Sequence, residues 1–260
     1  MSAIPPGTPP DPHWPALVEH QLTPYQSTSI EGLRSLLVLA PHPDDEVFGC
    51  GGLLALAAAA GKRLTVVVLT DGGQAGEGAE REAESRAAAE LLGGPALRDA
   101  IEFWRLPDRG LKPDAGLVRR IADRIRACGA EWVLAPSPFE VHPDHRAVCI
   151  ATVDAARQLL ADGAELHLAF CEIGVPMLAN ALVDITAVAP RKALAMRCFR
   201  SQIAVQAYDE QIAALNRYRA YTLGPAVAQA EALWLVPDEL VRAGLEAVIG
   251  SVADGLRARV

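Results

Sequence analysis

Aromatic residues make up only 5% of the 260 residues, which is sparse for a protein that stacks sugar rings. Long apolar runs are missing as well. The longest stretch without a charged residue, 47–61, is fifteen residues and rich in Gly and Ala, against the roughly 20 apolar residues of a bilayer span. No Lys or Arg precedes Arg34, so the basic start of a secretory signal is absent. The five cysteines form no C-x-x-C pair and are odd in number, which predicts reduced thiols rather than a disulfide framework. Positive charge is short too, with 24 Lys and Arg against 32 Asp and Glu and a net charge of −8. Such a chain repels polyanions and disfavours nucleic acid or an anionic membrane as partner. These absences predict a cytoplasmic protein with a small-molecule substrate and no membrane span. They leave the oligomeric state open.

With 51% hydrophobic and 22% charged residues, the chain has the composition of a globular protein. Seven of its nineteen prolines fall before residue 25, and proline removes ladder donors and breaks helices. Residues 1–30 are therefore expected to form an arm, anchored by Trp14, Leu17 and Val18, ahead of a single domain over 31–260. Short β-branched runs at 36–40, 64–70, 101–106 and 131–135 are strand candidates. Each precedes a helical pattern, at 51–60, 80–92, 116–128 and 143–160. Strand followed by helix, four times over, predicts an α/β fold: a mainly parallel sheet with helices on both faces. Further strands are expected at 166–173, 182–185 and 232–236, and helices at 192–199 and 208–221. A closing helix is expected to bury Val241, Leu245, Val248, Val252 and Leu256.

In open α/β sheets, ligands bind beyond the carboxyl ends of the strands. Two of those ends carry the same tripeptide, His42-Pro43-Asp44 after the first strand and His142-Pro143-Asp144 after the fourth. Each is followed by one more donor, Asp45 or His145. Proline holds the residue before it extended and is tolerated at the first position of a helix. Residues i and i+3 can then face one point. Two imidazoles and a carboxylate suit a catalytic zinc site, which needs three protein ligands and an open position for water. The expected ligands are His42, Asp45 and His145. Asp44 is the general base left beside them, and His142 the group for an oxyanion or a leaving amine. Asp144 is a candidate to orient His142. A Mg²⁺ phosphohydrolase fits less well, because imidazoles select zinc-like metals, Fe²⁺ among them.

The stretch LLVLAPHPDDEVFGCGG at 36–52, with His142-Pro143-Asp144-His145, resembles the paired signatures of the PIG-L/LmbE-like deacetylases. Arg81 with Glu84, Val183-Asp184-Ile185-Thr186, and Lys192 through Ser201-Gln202 extend the resemblance over about 33–205. The resemblance implies a Rossmann-like fold and zinc-dependent removal of an acetyl group from an N-acetylglucosamine-type amino sugar. It carries the ligand roles to His42, Asp45 and His145, the base to Asp44, and the stabilising role to His142. It also puts Arg81 at a substrate-contacting position. Phe199 departs from the pattern where relatives often carry histidine, and so does the Asp71-Gly72-Gly73-Gln74 loop. An amidase acting on a thiol conjugate or an antibiotic-like glycoside would use the same residues. A non-catalytic sugar-binding protein would have no need of the full set.

Several other features invite blander readings. Gly49-Cys50-Gly51-Gly52 lacks the third glycine of a dinucleotide fingerprint, because residue 54 is Leu54. Cys50 and Cys149 read as small core residues. The charged run at 80–86 reads as a solvated helix face, with Arg81 paired locally to Glu84 or Ser85. Arg109 and Lys112 read as an exposed pair at the same sheet end as the motifs. Trp104, Phe139 and Tyr218 are the aromatic candidates for a sugar contact.

Overall fold

The computed structural model describes residues 23–74 and 77–257. Seven strands form one sheet: β1 (Ser35–Ala40), β2 (Arg63–Thr70), β3 (Ile101–Leu106), β4 (Trp132–Pro136), β5 (His167–Cys171), β6 (Ala181–Asp184) and β7 (Ala230–Val236). Their order is β3-β2-β1-β4-β5-β7-β6. The first five run parallel, and β7 lies antiparallel to both β5 and β6. The helices are α1 (Asp45–Ala59), α2 (Gly78–Asp99), α3 (Ala115–Cys128), α4 (Pro143–Ala161), α5 (Ala189–Met196), α6 (Arg200–Ile203), α7 (Tyr208–Arg219), α8 (Asp238–Ala243) and α9 (Leu245–Arg257).

Period-2 alternation explains why the central strands read as unbroken apolar runs. Leu36, Val38 and Ala40 enter one core, while Leu37 and Leu39 enter the other. Phe48 of α1, Leu92 of α2 and Met196 of α5 complete the first core. Ile121 of α3, Val148 of α4, Val241 of α8 and Val248 of α9 complete the second. The result is a Rossmann-like three-layer α/β architecture.

The strand order reverses between β1 and β4. Chain segments leaving β2 and β5 turn away on either side, so the ends of β1 and β4 flank the crevice where such sheets bind ligands. Both His-Pro-Asp loops stand there.

Three expectations change. The helix expected at 51–60 begins six residues earlier and kinks at Cys50 (φ −147°, ψ 26°). The helix at 80–92 runs on to Asp99 through Gly94 at φ 72° and Pro95. The closing helix is two, parted at Gly244 with φ 95°. The side chains of Val252 and Leu256 lie outside the described residues, as does most of the arm, with Trp14, Leu17 and Val18. The last part of the arm covers an edge: the Thr28 N–H donates to the Leu182 carbonyl at 2.6 Å, and Thr28 Oγ1 accepts the Leu182 N–H at 3.1 Å.

Candidate metal centre

β1 ends at Ala40 and α1 starts at Asp45, so four residues make the first loop. Asp44 stands there at φ 133°, a value that L-residues seldom adopt. β4 and α4 frame the second loop, where Pro143 opens the helix and the His142 side chain caps it. Its Nδ1 accepts the Asp144 N–H at 3.2 Å. In the neutral ring this leaves the proton on Nε2.

The two loops bring three donors to one point. Asp45 Oδ2 lies 3.2 Å from His42 Nδ1 and 3.2 Å from His145 Nε2, and the two nitrogens are 3.2 Å apart. A tetrahedral ion with bonds of about 2.0 Å separates neighbouring donors by about 3.3 Å. The donor set and its spacing therefore fit a zinc-class ion. His142 adds a third ring nitrogen within 4.8 Å of those of His42 and His145.

Each candidate ligand is held from behind. His42 Nε2 lies 3.2 Å from Asp144 Oδ2 and 3.3 Å from Asp108 Oδ1. His145 Nδ1 lies 3.3 Å from Glu140 Oε2. Glu140 in turn accepts backbone N–H groups from Ile173, Gly174 and Val175 after β5. Carboxylates behind metal-ligating histidines fix the tautomer and raise basicity. Burial acts to lower the His42 pKa, but Asp108, Asp144 and Asp45 outweigh it and push it up to about 12. Burial opposes the same rise at His145, where Asp45 and Glu140 push the pKa up to about 10. Burial would raise Asp45, yet His145 and His42 hold its carboxyl well below the usual range. Burial and the charge of Asp45 raise Asp44 well above that range, against the pull of Arg81. Burial and the charges of His42 and His145 lower His142.

Two placements differ from the sequence expectation. Asp144 does not orient His142 through its carboxylate, which instead holds His42 and accepts the N–H groups of Arg109 (2.7 Å) and Leu111 (3.1 Å). Arg81 is neither on a solvated face nor paired to Glu84. It is 2% exposed and donates to the Gly72 carbonyl (2.9 Å), the Pro43 carbonyl (2.7 Å) and Asp44 Oδ2 (2.9 Å). Glu84 reaches instead to the Ser201 N–H and hydroxyl.

A cavity of about 330 Å³ opens over the cluster. Phe48 and Tyr208 line it, whereas Trp104, Phe139 and Tyr218 do not. Phe199 is fully buried against Phe48, with ring centroids 5.5 Å apart. Cys50 and Cys149 are fully buried. A neighbouring thiol, that of Cys171, and burial raise the Cys50 thiol, and burial raises Cys149. Sequence reasoning missed Glu140 and Asp108. Glu140 stands five residues before His145, which is a usable signal. Asp108 offered none, because its loop meets the site only through the packing of β3 beside β2.

Residues 37–156 match the family model described as GlcNAc-PI de-N-acetylase. The 4-oxalmesaconate hydratase of Pseudomonas putida is 28% identical over 214 residues, covering 69% of this chain and 78% of the relative. The diacetylchitobiose deacetylase of Thermococcus kodakarensis is 30% identical over 44% of this chain and 46% of its own length. The 2'-N-acetylparomamine deacetylase of Streptomyces fradiae is 33% identical over 43% and 48%. The similarity thus spans about half the length of these two deacetylases. Among solved structures, a conserved protein of Thermus thermophilus superposes with a TM-score of 0.69 at 31% identity, covering 79% of this chain and 95% of that one.

Proposed function

Since the chain belongs to the PIG-L/LmbE-like deacetylase family, we propose that it is a metal-dependent hydrolase that removes the acetyl group from an N-acetylated amino sugar or its conjugate. The observation that carries this reading is the 3.2 Å triangle of His42, Asp45 and His145 beside the buried Asp44, open to a cavity of about 330 Å³. Zn²⁺ is the first candidate for that set and Fe²⁺ the second.

A bound ion of this class supplies Lewis acidity and brings the pKa of water down toward about 7. The remaining steps belong to side chains. Asp44 faces the cavity and is held by Arg81, and its raised pKa suits it to take a proton from the attacking water. His142, with Nδ1 occupied by the Asp144 N–H, has its Nε2–H to give to the oxyanion of the tetrahedral adduct. It acts as a neutral donor, since its pKa is lowered. The C–N bond then breaks, and the proton held by Asp44 passes to the departing nitrogen. One water is consumed, and one amine and one acetate are formed.

The test is acetate release from a panel of N-acetylglucosamine conjugates, with elemental analysis of the purified protein. Release that chelation abolishes and Zn²⁺ restores supports the reading. Bound metal without release on any amide overturns it. One observation favours a second reading, the match to a hydratase over 78% of that relative's length. The same base could add water across a carbon–carbon double bond of an unsaturated carboxylate. Hydration of such a substrate without acetate release would decide for it.

A further inference from the structure

Every acid lining the cavity has a partner. Asp44 meets Arg81, Asp45 meets His42 and His145, Asp108 meets His42, and Glu140 meets His145. Among the lining cations, Arg81 is committed to Asp44 and to two carbonyls. Arg109 is not committed. It is exposed, lines the cavity, and among the described residues its guanidinium has no ion-pair or hydrogen-bond partner.

The backbone beneath that guanidinium is fixed. Arg109 stands at φ 58°, and its N–H donates at 2.7 Å to Asp144 Oδ2, the same oxygen that lies 3.2 Å from His42 Nε2. Leu111 binds the other Asp144 oxygen at 3.1 Å. One fully buried carboxylate therefore holds both a candidate metal ligand and the base of the arginine. Gln74 is tied alongside, its N–H on Asp108 Oδ2 at 3.1 Å and its exposed side chain also on the cavity. Phe48 and Ile212 supply apolar surface elsewhere in the same cavity. An uncompensated guanidinium in a cavity, on a backbone position that L-residues adopt only under constraint, is a preorganised donor for a planar or tetrahedral oxyanion.

We infer that Arg109, with Gln74 beside it, forms an oxyanion subsite, so that the substrate is an amino-sugar conjugate whose aglycone carries a carboxylate or a phosphate. This rests on the deacetylase reading for the sugar and on geometry alone for the anion. A bound anion sits between Arg109 and the open side of the cavity, and the acetamide sits over the His42, Asp45 and His145 cluster.

The experiment uses metal-loaded full-length protein and three glucosaminides bearing a carboxymethyl, a phosphate or a methyl group at the anomeric oxygen. Calorimetry reads their binding without turnover. The subsite predicts that one of the two anionic forms binds about tenfold more tightly than the methyl glucosaminide. Which of them gains identifies carboxylate or phosphate. Arg109→Gln carries the same backbone strain as the native residue and should abolish the advantage while leaving methyl glucosaminide binding and thermal unfolding unchanged. Arg109→Lys should restore part of it, and added salt should weaken it in the native protein. Equal binding of all three probes, or an advantage that survives Arg109→Gln, overturns the subsite. Acetate release from the corresponding N-acetyl forms is measured separately, so failure of the deacetylase reading would show as binding preference without release.

Discussion

Asp44 is held in an uncommon backbone conformation, at φ 133°, with its carboxylate turned to Arg81 rather than used as a helix cap. Strain of this kind costs on the order of 1–3 kcal/mol and persists only where the surroundings over-determine it. Arg81, Pro43 and Gly72 do so here. A Cβ at Gly72, itself at φ 64°, would lie within van der Waals overlap of the Arg81 guanidinium, so only glycine admits that side chain. Replacing Arg81 with methionine should leave Asp44 buried without its cation and cost about 3–5 kcal/mol, read as a lower urea midpoint. Asp44→Asn should keep the metal while turnover falls by about 10²–10⁴, the usual share of a general base. His145→Ala should instead lose the metal, measured by elemental analysis. Glu140→Gln should retain it but weaken affinity by about 10–100-fold in competition with a chelator, because His145 loses its carboxylate partner.

At the scale of elements, α1 shows how a glycine-rich segment becomes helix. Gly49, Gly51 and Gly52 argue against helix by propensity alone, and the sequence pattern accordingly starts the helix at residue 51. In the fold the kink at Cys50 frees the N–H groups of Gly52 and Leu53, and Glu231 of β7 accepts both, at 2.6 and 2.7 Å. Lys192 of α5 closes the arrangement at 2.7 Å from Glu231, and donates as well to the Phe48 carbonyl and Asn216. Lys192 and Glu231 are each 1% exposed. Lys192→Met should therefore destabilise by about 3–5 kcal/mol, checked by chemical denaturation. A Cβ at Gly52 would meet Ile185 Cγ2 at 2.6 Å and Glu231 Oε1 at 2.8 Å. Gly52→Ala should cost about 1–3 kcal/mol despite alanine's better helix propensity, since overpacking is the larger effect.

At the scale of the whole molecule, strand order decides where the chemistry sits. β1 and β4 are neighbours although nearly a hundred residues separate them, and the reversal between them opens the crevice that both loops share. The metal centre is thus a tertiary object, formed only when the sheet is complete. An ion that binds only the folded chain stabilises it by mass action, about 2.7 kcal/mol when present at 100 times its Kd. Chelation should accordingly lower the unfolding temperature as well as stop turnover, and Zn²⁺ should restore both. The thermal shift can be read without any substrate.

Much of this was legible in the sequence. The apolar runs located the central strands to within a residue or so, because burial on both faces demands continuous β-branched and aliphatic residues. The two His-Pro-Asp loops identified the donor triangle, because proline confines each histidine and the following turn sets the i, i+3 spacing. What lies behind that triangle was decided by tertiary structure. Glu140 depends on amides beyond β5, Asp108 on a loop beyond β3, and the Arg81–Asp44 pair on how α2 leans over the first loop. None of these contacts leaves a local pattern. A buried charge chooses its partner by three-dimensional proximity and by the desolvation it must offset, and sequence separation does not enter that balance.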